Sequence, residues 1–429
     1  MDGRALSARL RRISFADLPM PGARAHDAEA EETAARIIAD VASRGEAAVR
    51  EWAVKLGELS PDASLAIDRA GLEAALGSLP KEEARILEST RDRVLAFAHA
   101  QRAALRDIEV SVPGGRAGHR FIPVSRAGCY APGGRFPLPS SAIMTACAAK
   151  AAGVKSVWCV GPKPSRATLA AAALCGAEGF LAAGGAQGIA ALAYGAGAPP
   201  CDVIVGPGGR YAAAAKRLLF GVVGTEAPAG PSELLVIAGS GADAEIVAAD
   251  LLAQAEHDVA AVPALVLLDP GLADAVDEAV GRRLAALPEP NRSTAATSLA
   301  NGWLLIAGDE AEARAAAERF APEHLELLVD EPRAWADSIS NAGAVFLGPG
   351  SAEVFGDYGA GPNHCLPTGG AARFAAGLSV LAFLRARTWL EMDRAAGEEG
   401  RALAAEAAAL ARIEGLEAHA RAAELRVPR

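Results

Sequence analysis

From residue 155 onward, short β-type runs ending in glycine alternate with apolar helical segments. KSVWCVGP (155–162), GFLAAGG (179–185) and CDVIVGPGG (201–209) are the first such runs. Between and after them lie SRATLAAAALCGA (165–177), AQGIAALAYGA (186–196) and RYAAAAKRLLFGVV (210–223). This alternation constrains the fold strongly, because a strand–helix–strand crossover joins parallel strands and covers their sheet on both faces. The pattern restarts after the turn-rich EAPAGPS (226–232). ELLVIA (233–238), PALVLLD (263–269), GWLLIAG (302–308), LELLVD (325–330) and AVFLG (344–348) are strand candidates. AEIVAADLLAQAEHD (244–258), LADAVDEAVGRRLAAL (272–287) and DEAEARAAAERFA (309–321) are the helices between them. The fold class is therefore α/β, with two α/β units in tandem.

Residues 27–108 read as helices, and 390–426 as a strongly charged helical end. A chain of 429 residues is long enough to bury large cores without disulfides or structural metal. Its 42 Lys and Arg against 52 Asp and Glu leave a formal charge of −10, and aromatics are only 5%. Such a balance argues against nucleic acid and against an anionic membrane surface as partners. Cysteines 129, 147, 159, 175, 201 and 365 form no CxxC, and MDGRALSARLRR at the start has no apolar core. Both features predict a reduced, cytoplasmic protein. The most apolar long stretch (182–200) is built of Ala and Gly and contains Gln187, unlike a membrane span.

Several motifs could carry chemistry. GSGADA (239–244) follows ELLVIA and fits G-x-G-x-x-A, but no acidic residue ends a second strand at the spacing a ribose would need. It reads as an ordinary strand-to-helix turn. Gln254 and His257 in QAEH are three apart on a helix and share a face, so they can hold one ion together; a lone His there more often caps the helix. Asp357 and His364 lie in the Gly-rich GDYGAGPNH after AVFLG, and loops beyond strand C-termini are where α/β folds place ligands. Glu323 stands beside His324 in APEH, an acid and an imidazole suited to proton transfer near neutral pH. Three of the seven histidines (257, 324, 364) lie in such contexts, and His419 follows Glu414 by five residues in the terminal EGLEAHA.

Taken together, GAQGIAALAYG, IVGPG, AGPSELLVIA, ADLLAQAEH, APEHLEL, GPNHCLPTGG and GLSV make a chain that resembles the histidinol dehydrogenase family. The resemblance runs in the family's order from CYAPGG to the terminal EGLEAHARA. It implies two incomplete Rossmann-like units with helical N- and C-terminal extensions, in an intertwined homodimer. Residues 1–20 would be an N-terminal extension, 21–125 plus 237–375 a first domain with a helical N-terminal part, 126–236 a second domain, and 376–429 a helical dimerisation tail. The implied reaction is a four-electron oxidation of L-histidinol to L-histidine through the aldehyde, using NAD and one zinc ion per active site.

Carried over position by position, the implied zinc ligands are Gln254, His257, Asp357 and His419, the last reaching in from the other subunit. Glu323 and His324 match the acid–base pair. Ser232, His364 and Glu414 match substrate-binding positions, together with His324 and the zinc ligands. Tyr130, Gln187 and Gly209 fall at cofactor positions, Gly209 replacing an Asn and so removing one hydrogen bond. Arg135 and Phe136 stand where the family has small residues, and with GHRFIPV and Cys129 they are similar to sulfopropanediol dehydrogenases. GDYGAGPNH and the pair Glu414 and His419 have the histidinol form. The expected substrate is therefore L-histidinol, with 2,3-dihydroxypropane-1-sulfonate the alternative and a non-catalytic two-lobed binding protein a remoter one.

Overall fold

The structure is a computed structural model that describes residues 9–19, 27–133, 136–226, 230–393 and 397–426. Two six-stranded sheets carry the fold, one for each stretch of alternation. In the first sheet the strand order is Arg11–Ile13, Trp303–Ile306, Val262–Leu267, Glu233–Ala238, His324–Leu328, Ala344–Leu347, all parallel. Glu233–Ala238 and Val262–Leu267 are buried at every position, as runs covered on both faces must be. Side chains alternate between those faces. Leu234, Val236 and Ala238 meet helices Ala244–His257, Leu272–Ala286 and Asn291–Leu299, while Leu235 and Ile237 meet Glu310–Phe320 and Pro332–Ser338.

The second sheet has the order Ala66–Asp68, Gly179–Leu181, Ser156–Val160, Arg126–Tyr130, Val203–Val205, Gly224–Thr225. Only Ala66–Asp68 runs antiparallel to its neighbour. Its central strand Arg126–Tyr130 lacks the β-branched run that marks a strand and escapes a pattern search. Gly128 there lets a helix approach, since a Cβ would meet Leu192 Cδ1 at 2.6 Å. Pro139–Ala152 and Arg166–Leu174 cover one face, and Gly185–Tyr194 with Arg210–Leu219 the other.

Two expectations need correction. The resemblance groups residues 28–103 with 237–375, but their helices pack on the second sheet. Ala28–Arg44 sets Ala30, Ala34, Ile37 and Val41 against Ile189, Ala212 and Ala215, and Lys81–Ala103 packs Val94 and Ala98 against Pro139–Ala152. Both faces of the first sheet are already covered by its own helices, so it offers these stripes no room. Within the expected N-terminal extension of residues 1–20, residues 11–13 form an edge strand of the first sheet. Among the described residues the tail has a 3-10 turn at Val380–Phe383, and its α-helices begin at Gly397. Leu384–Met392 is a strand in a small antiparallel sheet with Gly115–Pro123 and Ile108–Val112. Exposed charges at alternate positions, Arg385, Arg387 and Glu391, hide that strand from a helical pattern. Gly397–Ile413 and Glu417–Glu424 then pack on each other as a hairpin, with Leu410, Ile413 and Leu425 exposed. No helix among the described residues is long and apolar enough to cross a membrane.

Candidate active site

A cavity of about 630 Å³ lies between the two sheets, a size typical of small-molecule and cofactor sites. Pro132 and Pro207–Arg210 reach it from the C-terminal edge of the second sheet. Ser232, Glu233, Glu323 and His324 reach it from the N-terminal edge of the first. The rule that ligands sit beyond strand C-termini thus holds for one sheet and is reversed for the other. GSGADA, at the opposite end of Glu233–Ala238, is a capping turn away from the cavity, in which Asp243 accepts from Glu245 N–H at 2.8 Å.

Strand register builds the acid–base pair. His324 is paired with Leu234, which brings its ring to the Glu233 carbonyl, and Nδ1 donates there at 3.0 Å. That fixes the proton on Nδ1 and leaves Nε2 as a bare lone pair with no partner. Burial lowers the pKa of His324 to about 4, so the ring is neutral at pH 7. Glu323 is also buried, and its Oε2 accepts from Ser232 Oγ at 2.7 Å and from Glu233 N–H at 2.9 Å. Burial outweighs these two donors and pushes the carboxyl well above the usual range. Such a group, once ionised, is a strong base for a proton of water.

Next to the pair stands a set of metal-ligand types, with Asp357 Oδ1 3.8 Å from His324 Nε2. Helix Ala244–His257 carries Gln254 and His257 on one face, and helix Glu353–Asp357 carries Asp357. His257 Nε2 lies 3.4 Å from Asp357 Oδ2, and the contact raises the pKa of His257. Burial works against ionised Asp357, but His257, His324 and His364 together hold its carboxyl low. Gln254 is fully buried, yet neither its amide oxygen nor its nitrogen has a partner. An orphaned buried amide beside a His–Asp pair fits a cation, and mixed N and O donors suit zinc. Donor atoms of His257, Glu353 and Asp357 lie within 4.8 Å of one another. His364 donates Nδ1–H to the Asp357 carbonyl at 3.0 Å and faces Ser141 Oγ at 3.4 Å.

The cofactor positions divide. Gly209 caps helix Arg210–Leu219 and lines the cavity, and a Cβ there would meet nothing within 4 Å. Tyr130 and Gln187 are buried beside it without lining the cavity. The Tyr130 phenol accepts from Gly185 N–H, and Gln187 donates to Glu58, a residue in the bend after helix Glu46–Lys55 that sequence reasoning missed. Glu414 and His419 lie on the exposed terminal hairpin and do not line the cavity of their own chain. Arg135 lies outside the described residues, and Phe136 is exposed and does not line the cavity. Also missed were Asp250, Glu326 and Glu353, buried carboxyls behind the site. Spacing held the signal, since Asp250 precedes Gln254 by one turn, Glu353 precedes Asp357 by one turn, and Glu326 shares a strand face with His324.

Two covered sheets, a cavity at their edges and a buried acid–imidazole pair beside metal-ligand types define an α/β enzyme. The sequence profile described as histidinol dehydrogenase matches residues 21–427. A histidinol dehydrogenase of Aromatoleum aromaticum is 43% identical over 409 residues, 94% of this chain and 92% of that protein. A sulfopropanediol 3-dehydrogenase of Ruegeria pomeroyi is 40% identical over 408 residues, 93% of this chain and 92% of that protein. The crystal structure of histidinol dehydrogenase from Elizabethkingia anophelis superposes with a TM-score of 0.89 at 28% identity, covering 97% of this chain and 98% of that one. The chain belongs to the histidinol dehydrogenase family and is an oxidoreductase.

Proposed function

We propose that the protein oxidises L-histidinol to L-histidine in two steps, using NAD and one zinc ion, as a cytoplasmic homodimer. The observation that carries this reading is the orphaned Gln254 amide and the His257–Asp357 pair, with Asp357 Oδ1 3.8 Å from His324 Nε2. His324 would take the hydroxyl proton on Nε2, readying the carbinol to give up a hydride and become the aldehyde; bound NAD would supply the hydride acceptor. Glu323 takes a proton from water as it adds to the aldehyde, because only a hydrated aldehyde has a second hydride to give. A second hydride and proton then leave, for a balance of one alcohol, one water and two NAD to one carboxylate, two NADH and three protons. Bound zinc would supply a positive template for the substrate's imidazole and amine through Gln254, His257 and Asp357, with His419 of a second copy completing the set. Ser232 and His364 would contact the substrate, and Glu414 of that second copy would pair with its ammonium. Tyr130 and Gln187 would shape the nicotinamide cofactor's seat near Gly209.

Charge favours histidinol over the sulfonate. The described lysine and arginine side chains of the cavity wall are Arg210 and Arg217, and both are committed to acidic partners, Asp27 and Glu29 for Arg210 and Glu31 for Arg217. A sulfonate needs a fixed cation near the reacting carbon. Six free, buried cysteines agree with a reducing compartment. Side-by-side assay of NADH formation with L-histidinol and 2,3-dihydroxypropane-1-sulfonate tests the reading. Preference for the sulfonate, abolished by Arg135→Ala, overturns it.

A further inference from the structure

The end of strand Val203–Val205 is held by a buried ion pair that the proposed reaction leaves without a task. Beyond Val205 the ladder with Ala127–Cys129 stops, and Gly206 turns the chain away with φ +122°. Only glycine fits there, because a Cβ would run into the Tyr130 carbonyl oxygen. Having left the ladder, the N–H and C=O of Gly206 need other partners. Glu226, just after the edge strand Gly224–Thr225, accepts the N–H on Oε1 at 2.8 Å. Lys216 donates from Nζ to the C=O at 2.8 Å and to the same Glu226 Oε1 at 2.5 Å. Lys216 stands in the second half of helix Arg210–Leu219, and helical side chains lean toward the N-terminus, so it reaches back to the loop before the helix.

The Lys216 side chain is 5% exposed and that of Glu226 12%. A pair so buried loses much of its attraction to desolvation, which makes it a poor device for stability. What it does fix is geometry. Gly206 opens the loop whose Pro207, Gly208 and Gly209 line the cavity, and three glycines in four residues leave that loop free unless something holds it. The central strand Arg126–Tyr130 has the next strand of its sheet, Ser156–Val160, on one side and Val203–Val205 on the other. The loop therefore stands where the strand order reverses, the point at which open α/β sheets take nucleotides.

We propose that Lys216 and Glu226 are positioning residues for a nicotinamide cofactor, their ion pair holding both backbone groups of Gly206 and so setting the shape of the glycine loop. This rests on the reading that NAD sits at this loop. Lys216 does not line the cavity, so it acts through Glu226 and Gly206. Glu226 does line it, and its Oε2 has no partner among the described residues. Direct contact between Glu226 and the cofactor is the rival that variants of Lys216 decide.

The test uses full-length, zinc-loaded wild type, Lys216→Met, and a double variant that adds Glu226→Gln, with NADH fluorescence as the binding probe. The double variant leaves no buried charge unpaired, and its introduced amide still accepts the Gly206 N–H, so it guards against simple misfolding. Both variants should bind NADH about tenfold more weakly, with the KM for L-histidinol within about twofold of wild type. Hydrogen exchange across residues 206–210 should be faster in both. Wild-type NADH affinity in either variant overturns the proposal; if Glu226→Ala then weakens NADH where Lys216→Met does not, Glu226 is a cofactor contact instead. Equal losses for NADH and histidinol also overturn it, since they mark general damage. If wild type binds no NADH, the reading of the cavity fails, while hydrogen exchange still decides whether the pair holds the loop.

Discussion

At the scale of single residues, environment separates two neighbours that look alike in function. His324 and Glu323 are adjacent and buried, and burial pushes both toward their neutral forms. His324→Ala should therefore depress both oxidation steps, by about 10²- to 10⁴-fold in kcat. Glu323→Gln should mainly slow the aldehyde step, which a direct assay with the aldehyde measures. If that variant oxidises the aldehyde at the wild-type rate, the water-activating role is wrong. The depressed His324 pKa also carries a stability consequence for metal-depleted protein. The unfolded imidazole binds a proton near pH 6.5 and the folded one only near pH 4, so stability is complete above 6.5 and falls as pH drops through that window. The loss should be on the order of 3 kcal/mol in urea melts at pH 4 against pH 7. His257→Ala should lose the metal, which elemental analysis reads as a drop from about one ion per chain.

At the scale of elements, the readable and the hidden parts of the chain differ for physical reasons. ELLVIA and its partners announce themselves because strands buried on both faces are mostly apolar, with Glu233, His324 and Glu326 as the exceptions. Leu384–Met392 is largely solvent-facing and Gly115–Pro123 only half-buried, both carry arginines, and neither gives such a run. The site is legible where its residues cluster in short motifs, as in QAEH and APEH. It is not legible where one turn of helix or one strand repeat places a carboxyl behind a ligand, because Asp250, Glu326 and Glu353 read as ordinary surface acids until the packing buries them. The helix Arg210–Leu219 supports a prediction of its own. Gly209 is its N-cap with φ −63°, and the space a Cβ would occupy there is open, so Asn fits without strain. Gly209→Asn should stabilise the helix by a few tenths of a kcal/mol and lower the KM for NAD several-fold. An unchanged KM would mean that this position does not meet the cofactor.

At the scale of the molecule, the terminal hairpin is the part whose place is least explained by its own chain. Its apolar side chains Leu410, Ile413, Leu416 and Leu425 face outward, and Glu414 and His419 sit among them. A second copy that buries this surface would bring both polar residues to the other cavity. Mixing inactive His257→Ala and His419→Ala chains should then restore part of the activity, since one hybrid site carries both native residues. No recovery after proven subunit exchange would count against shared sites.

The chain also begins in one sheet and spends most of its length elsewhere before returning. Arg11–Ile13 pairs with Trp303–Ile306, a partner the ribosome makes roughly three hundred residues later. The second sheet and its α-helices come from one stretch, with Cys365, Leu378, Val380 and Phe383 closing their core from much later, so they can begin to form on the nascent chain while the leading strand waits unpaired. Ribosome-stalled chains ending soon after residue 230 should already protect the Ala-rich helices from protease, and the first sheet should gain protection only in chains that extend well past residue 347. Synthesis order thus makes the half that carries the glycine loop the template on which the half that carries the acid–base pair is assembled.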